Sequence, residues 1–269
     1  MYESFFGLKE APFNVTPDPR FVYFSQQHRE ALAALLYGVE SRRGFIQITG
    51  DIGTGKTTLC RALLQKLGGG VHSALVFNPK LSEFELLQTI VEDFGIKPSG
   101  KRKKDYFDAL NRFLLDELEK GSNAIVIIDE AQLLSPRALE QVRLLSNLET
   151  STQKLLQIIL VGQPELKDLL SRKDLVQLYQ RIAIRYHLTA LNRQEAEDYL
   201  MHRLKVAGAL NNCFTTDAVD YIYEISKGVP RVMNVLADRT LMAAYAESSK
   251  LVTLSMAKYA DSDLQGIRQ

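Results

Sequence analysis

Short runs rich in β-branched residues alternate along the chain with longer stretches whose apolar side chains recur every three or four positions. The short runs fall near Phe45–Thr49, Ala74–Asn78, Ala124–Ile128, Gln157–Val161 and Ile182–Leu188. The longer stretches between them, at Lys56–Leu67, Glu83–Phe94, Tyr106–Lys120 and Pro136–Leu148, have helical periodicity. This alternation predicts an α/β body in which a parallel sheet is flanked by helices. One helix start is explicit: Ser135 stands as an N-cap with Pro136 in the first turn.

From Asn192 the β-rich runs stop. Helical patterns follow at Arg193–Ala207, Thr216–Ser226, Arg231–Glu247 and Ser255–Leu264, with Asn192, Thr215 and Thr216 as caps and Gly208 and Gly228 as punctuation. The expected organisation is therefore an arm and first helix (1–40) packing on the core, an α/β domain (41–190) and a small all-helical domain (191–269). The arm, Met1 to Phe24, is rich in proline and aromatic rings.

At 269 residues the chain can bury a sizeable core without staples. Apolar residues make up 46%, charged residues 24%, and the net charge is +1, which argues against disorder and against a chain-wide basic field for nucleic acid. Cys60 and Cys213 lack partners at metal-ligand spacing, which fits a reducing compartment. The segment "MYESFFGLKEAPF" lacks the features of a secretory signal, and the longest apolar runs fall well short of the roughly 18 residues needed to cross a bilayer. A cytoplasmic location is expected.

The strongest chemical signal is "FIQITGDIGTGKTTLCRALLQKL". Gly50, Asp51, Ile52, Gly53, Thr54, Gly55, Lys56 and Thr57, followed by Thr58, fit a phosphate-binding loop between a strand and a helix. Backbone N–H groups beside Gly53 and Gly55 can wrap anionic oxygens at the positive end of the following helix. Lys56 would reach the β and γ phosphates, and the Thr57 hydroxyl would ligate Mg²⁺. The plain alternative is a close-packed glycine turn, which a second site makes less attractive. In "AIVIIDEAQLL" a buried strand ends in Asp129 and Glu130, where a parallel sheet presents its carboxyl end to ligands. Asp129 would hold Mg²⁺ directly or through water, and Glu130 would polarise an attacking water.

With that loop, "VIIDEAQ" and the helical tail, the chain resembles AAA+ ATPases. More narrowly, it is similar to the general secretion pathway protein A (ExeA) and MSHA biogenesis protein MshM family. The resemblance rests on "FFGLKEAPFNVTPDPRFVYFSQQHREALAALLYGV", "ILVGQPEL", "QRIAIRYHL" and "GVPRVMN". It implies a P-loop NTPase fold with a helical lid, ATP and Mg²⁺ as ligands, and self-association into a ring or other oligomer. It assigns Gln163 to the sensor 1 position that orients the attacking water. Arg181 resembles an arginine finger, with Arg185 as competitor, and Arg231 resembles sensor 2 on the lid.

The resemblance also implies an assembly motor of type II secretion or type IV pilus biogenesis with a membrane-protein partner, through which the chain would lie at the inner membrane. Some members continue into a membrane segment and a peptidoglycan-binding domain. This sequence ends soon after the helical tail, so direct peptidoglycan binding is not expected. The alternative is a DNA-associated AAA+ ATPase resembling transposition regulators, using the basic run Lys101–Lys104. That run reads otherwise as a solvated loop. In the arm, Phe13, Pro17, Pro19, Phe21 and Tyr23 are suited either to clamping a purine or to ordinary packing against the sheet. His28, His72, His187 and His202 are scattered without metal spacing.

Overall fold

In the computed structural model, which describes residues 1–14, 18–77 and 79–266, the five apolar runs become strands β1 Phe45–Gly50, β2 Val71–Val76, β3 Asn123–Ile128, β4 Leu156–Gly162 and β5 Ile182–Leu188. Pro17 of the arm and Asn78, expected to end the second strand, lie outside the described residues. All pairings are parallel, in the order β2-β3-β4-β1-β5. The three inner strands, β3, β4 and β1, are buried at every position, as a sheet covered on both faces requires. The outer strands β2 and β5 carry exposed or half-buried positions among buried ones.

The helices are α1 Tyr2–Phe6, α2 Gln26–Glu40, α3 Lys56–Leu67, α4 Glu83–Asp93, α5 Lys103–Glu119, α6 Pro136–Leu145, α7 Glu165–Leu170, α8 Val176–Gln180, α9 Arg193–Val206, α10 Thr216–Ser226, α11 Pro230–Ala246 and α12 Leu254–Gly266. The Ser135 cap exists, its hydroxyl accepting the Ala138 N–H at 3.2 Å. Asn192 caps α9 reciprocally with Glu195.

Two compact units form. Gln27–Asp51 and Leu59–Leu188 make the α/β unit; Met1–Gln26, Ile52–Thr58 and the chain from Thr189 make the helical one. The first has a core of strand and helix residues including Ile128, Leu160, Leu139 and Leu86. The second has its own core, centred on Leu200, Ile222, Met233, Leu241 and Ala257.

Met1–Gln26 group with the helical unit, and α2 from Gln27 onward groups with the α/β unit. The reason lies in side chains: Tyr2, Leu8, Phe13 and Phe21 are part of the helical core.

Candidate functional site

The phosphate loop begins where β1 ends at Gly50. Gly53 and Gly55 have φ of 84° and 98°, a region closed to most side chains, and both glycines therefore serve the loop's curvature. Lys56, the first residue of α3, is 7% exposed, and Thr54 is buried as well. At Gly53 a Cβ would stand 2.9 Å from Arg231 Cβ and 3.1 Å from Val229 Cγ1, so the loop lies directly against the start of α11.

That helix start is itself shaped by sequence. Lys227 and Gly228 both take positive φ, and a Cβ on Gly228 would sit 2.0 Å from the Leu191 carbonyl oxygen. Leu191 N–H in turn donates to the Gly228 carbonyl at 3.0 Å. Pro230 then opens α11, and Arg231, in the helix's first turn, is exposed.

At the end of β3, the Asp129 N–H donates to the Val76 carbonyl at 2.9 Å, extending the β2–β3 ladder by one residue. Asp129 is 8% exposed, and its Oδ1 accepts the Glu130 N–H at 2.9 Å. Glu130 has φ 52° and ψ 37°, left-handed backbone that a residue with a Cβ adopts at a cost of about 1–2 kcal/mol. Its Oε2 accepts from Gln132 Nε2 at 2.6 Å and from Gln163 Nε2 at 3.2 Å. Gln163 follows β4, the neighbour of β3, so the sheet order brings it to Glu130.

An AAA domain family matches residues 39–170. General secretion pathway protein A of Aeromonas hydrophila is 44% identical over 271 residues, a span that covers 100% of this chain and 49% of that protein. The chain carries an AAA domain and has the AAA+ fold. It spans about half the length of the curated relative it matches.

Solved AAA+ structures share the fold. The Aeropyrum pernix ORC2 protein has a TM-score of 0.70 at 19% identity, covering 95% of this chain and 71% of that one. Drosophila ORC bound to DNA gives 0.72 at 16% identity, covering 96% and 64%. The Thermotoga maritima RuvB Holliday junction branch migration motor gives 0.59 at 18% identity, covering 90% and 70%.

An AAA+ fold implies nucleotide binding, and the donor set here suits Mg²⁺. The Thr57 hydroxyl and the Asp129 carboxylate are each hard oxygen donors of the class that Mg²⁺ prefers.

Of the two arginines proposed as a finger in this AAA+ chain, Arg181 is exposed, its Nη1 donating to Ser146 Oγ at 2.8 Å and Asn147 Oδ1 at 2.5 Å. Arg185 lies over the Tyr179 ring, 3.9 Å from its centroid, and donates to the Tyr179 carbonyl at 2.6 Å. Arg185 is thereby fixed to its own chain by both its face and its edge.

The arm's aromatic residues are largely spoken for. Phe13 is 2% exposed and meets Phe214 edge-on, and Phe21 is 6% exposed beneath the Arg203 guanidinium. Arg203, 7% exposed, donates to the Pro12 carbonyl at 2.6 Å and the Asn14 carbonyl at 3.0 Å, binding the arm to α9. Phe13 and Phe21 are core residues of the helical unit, which removes them as a purine clamp. Tyr23, half-buried, packs against Tyr199 and His202.

In the basic run, Arg102 pairs with Asp105 and Lys103 with Glu83, so two of its charges serve the start of α5. Sequence reasoning missed Gln132. An uncharged amide in a three-residue turn, Ala131–Leu133, carries no signal by itself. Its place two residues after Glu130 was the available hint.

Proposed function

We propose that this chain is an ATP-hydrolysing assembly motor that acts as an oligomer. ATP and water give ADP and inorganic phosphate. Gly50 to Thr58 hold the phosphates through backbone N–H groups, and Lys56 bears on the β and γ phosphates. Thr57 and Asp129 would hold Mg²⁺, which supplies charge neutralisation on the phosphate oxygens. Glu130 polarises the attacking water, and Gln163 helps orient it. Arg231, packed on Gly53, faces the phosphates from the lid, and Arg181 of a neighbouring copy neutralises charge on the transferred phosphoryl group.

The observation that carries this reading is the left-handed Glu130, whose carboxylate is held by an amide from each of two flanking glutamines. A carboxylate that merely capped a turn would not need strained backbone and two side-chain donors.

The similarity to general secretion pathway protein A supports a role in the general secretion pathway, with a membrane protein of a type II secretion or MSHA-like pilus apparatus as partner. No helix among the described residues is long and apolar enough to cross a membrane.

The test is ATP turnover across a range of protein concentration, with nucleotide binding measured in parallel. The unchanged chain should gain specific activity as it associates. Glu130→Gln should bind ATP normally and lose about 100-fold or more in turnover. An unchanged chain that binds ATP yet never hydrolyses it at any concentration, with the membrane partner added, would sink the motor reading.

A further inference from the structure

We infer that Gln132 is a positioning residue for ATP hydrolysis, fixing the Glu130 carboxylate and the Gln163 amide against each other through one side-chain amide. The inference rests on the reading of Glu130 as the group that polarises water.

The Gln163 backbone N–H donates to Gln132 Oε1 at 3.1 Å, and Gln132 Nε2 donates to Glu130 Oε2 at 2.6 Å. A backbone N–H can only donate, so the atom facing it must be the amide oxygen. The amide nitrogen is thereby turned to the carboxylate, which can only accept when ionised. Gly162 makes the first contact possible, since a Cβ there would stand 2.6 Å from Gln132 Oε1. The amide therefore has one orientation, set by the backbone at the end of β4, and it passes that orientation to the residue after β3.

The Gln163 side chain closes the arrangement. Its Nε2 reaches the same Glu130 oxygen at 3.2 Å, while its backbone N–H holds Gln132. Both glutamines thus converge on Oε2, and the three residues form a closed loop of hydrogen bonds across two adjacent strand ends. Glu130 sits on left-handed backbone with χ freedom of its own, and a long flexible carboxylate in that position needs such an external frame to hold one direction. Gln132 makes no contribution to phosphate binding in this scheme, so its effect falls on turnover.

Three variants test this in the full chain: Gln132→Leu, which keeps volume and removes both hydrogen bonds; Gln132→Glu, which keeps length and puts a second carboxylate beside Glu130; and Glu130→Gln. The readouts are kcat and KM for ATP, nucleotide affinity and thermal melting. We expect Gln132→Leu to lower kcat by about 10- to 100-fold, with KM and affinity within about twofold. Gln132→Glu, which keeps the length but replaces the Nε2 donor facing Glu130 with a carboxylate oxygen, should lower kcat at least as far with KM equally unmoved. A loss confined to kcat is beyond what a purely structural residue would cause.

Unchanged kcat in Gln132→Leu, with Glu130→Gln inactive, would overturn the inference and leave the Glu130 assignment standing. Hydrolysis retained in Glu130→Gln would overturn both. A rise in kcat for Gln132→Leu would show that Gln132 restrains Glu130 and would equally overturn positioning. If Gln132→Leu loses melting temperature and kcat together, Gln132→Glu decides, and a Gln132→Glu chain that keeps both its melting temperature and its kcat rejects the inference.

Discussion

Gly53 combines two constraints, a φ of 84° and less than 3 Å of clearance between a Cβ and Arg231. Gly53→Ala would therefore strain the loop and push on the start of α11 at once, and each alone costs about 1 kcal/mol or more. The expected outcome is at least a tenfold loss of nucleotide affinity, read by titration of a fluorescent ATP analogue, with the melting temperature of the nucleotide-free chain lowered by several degrees. Unchanged affinity would separate the loop's conformation from phosphate binding. The spacing of Gly50, Gly55 and Lys56 made the loop legible in the sequence, since glycine and lysine announce what they do. The frame around Glu130 was legible only in part. Gln163 came from resemblance, while the left-handed backbone gave no sign and Gln132 only its place after Glu130, because an amide's role depends on which atoms it meets.

β5 and α10 match their expected bounds, and β1, β3 and β4 match to within a residue or so at each end. β2 starts earlier than its apolar run, at Val71, because Val71, His72 and Ser73 lie on an edge strand and are exposed or half-buried. α5 likewise starts within the basic run, where Arg102 and Asp105 cap it. α7 and α8 are too short, at six and five residues, to establish a period.

The arm's rings were recognised as contact surface, but what they touch is a matter of tertiary packing. His202 of α9 offers a test of that packing. Its ring lies against Tyr23, and its Nε2 is buried without a hydrogen-bond partner among the described residues. Burial, reinforced by the neighbouring Arg203 charge and by Lys205, holds its pKa below the usual 6.5, though the Val22 backbone contact works the other way. A folded-state pKa below the unfolded one means the unfolded chain binds more protons as the solution acidifies. The resulting stability is complete above about pH 6.5 and is lost as pH falls through the folded value. Denaturant midpoints measured from about pH 7.5 to 5 should fall for the unchanged chain and fall less for His202→Leu. Parallel curves for the two proteins would remove His202 as a contributor.

The molecule as a whole departs from the linear domain order read along the sequence, since the helical unit gathers the arm, Ile52–Thr58 and the chain from Thr189. Linear patterning reports where elements begin; it does not report that an N-terminal arm will fill the core of a C-terminal helical unit. The placement of Arg181 raises a question of the same scale, because a finger acts on a copy other than its own. Arg181 is exposed and held to Ser146 and Asn147 at the end of α6, a position that a neighbouring subunit can approach. Mixing two inactive variants decides between action in trans and action within one chain. A subunit carrying Arg181→Ala retains Glu130, and one carrying Glu130→Gln retains Arg181. In a heterologous assembly mixed in equal amounts, about a quarter of the interfaces pair an intact Glu130 with an intact Arg181. ATP turnover should therefore return to roughly a quarter of the unchanged level on mixing and subunit exchange, and stay near zero for either variant alone. If neither variant nor the mixture turns over ATP, although size-exclusion chromatography shows that they co-assemble, Arg181 is not supplied in trans. Repeating the mixture with Arg185→Ala in place of Arg181→Ala then tests the competitor, which its contacts to Tyr179 make the poorer candidate.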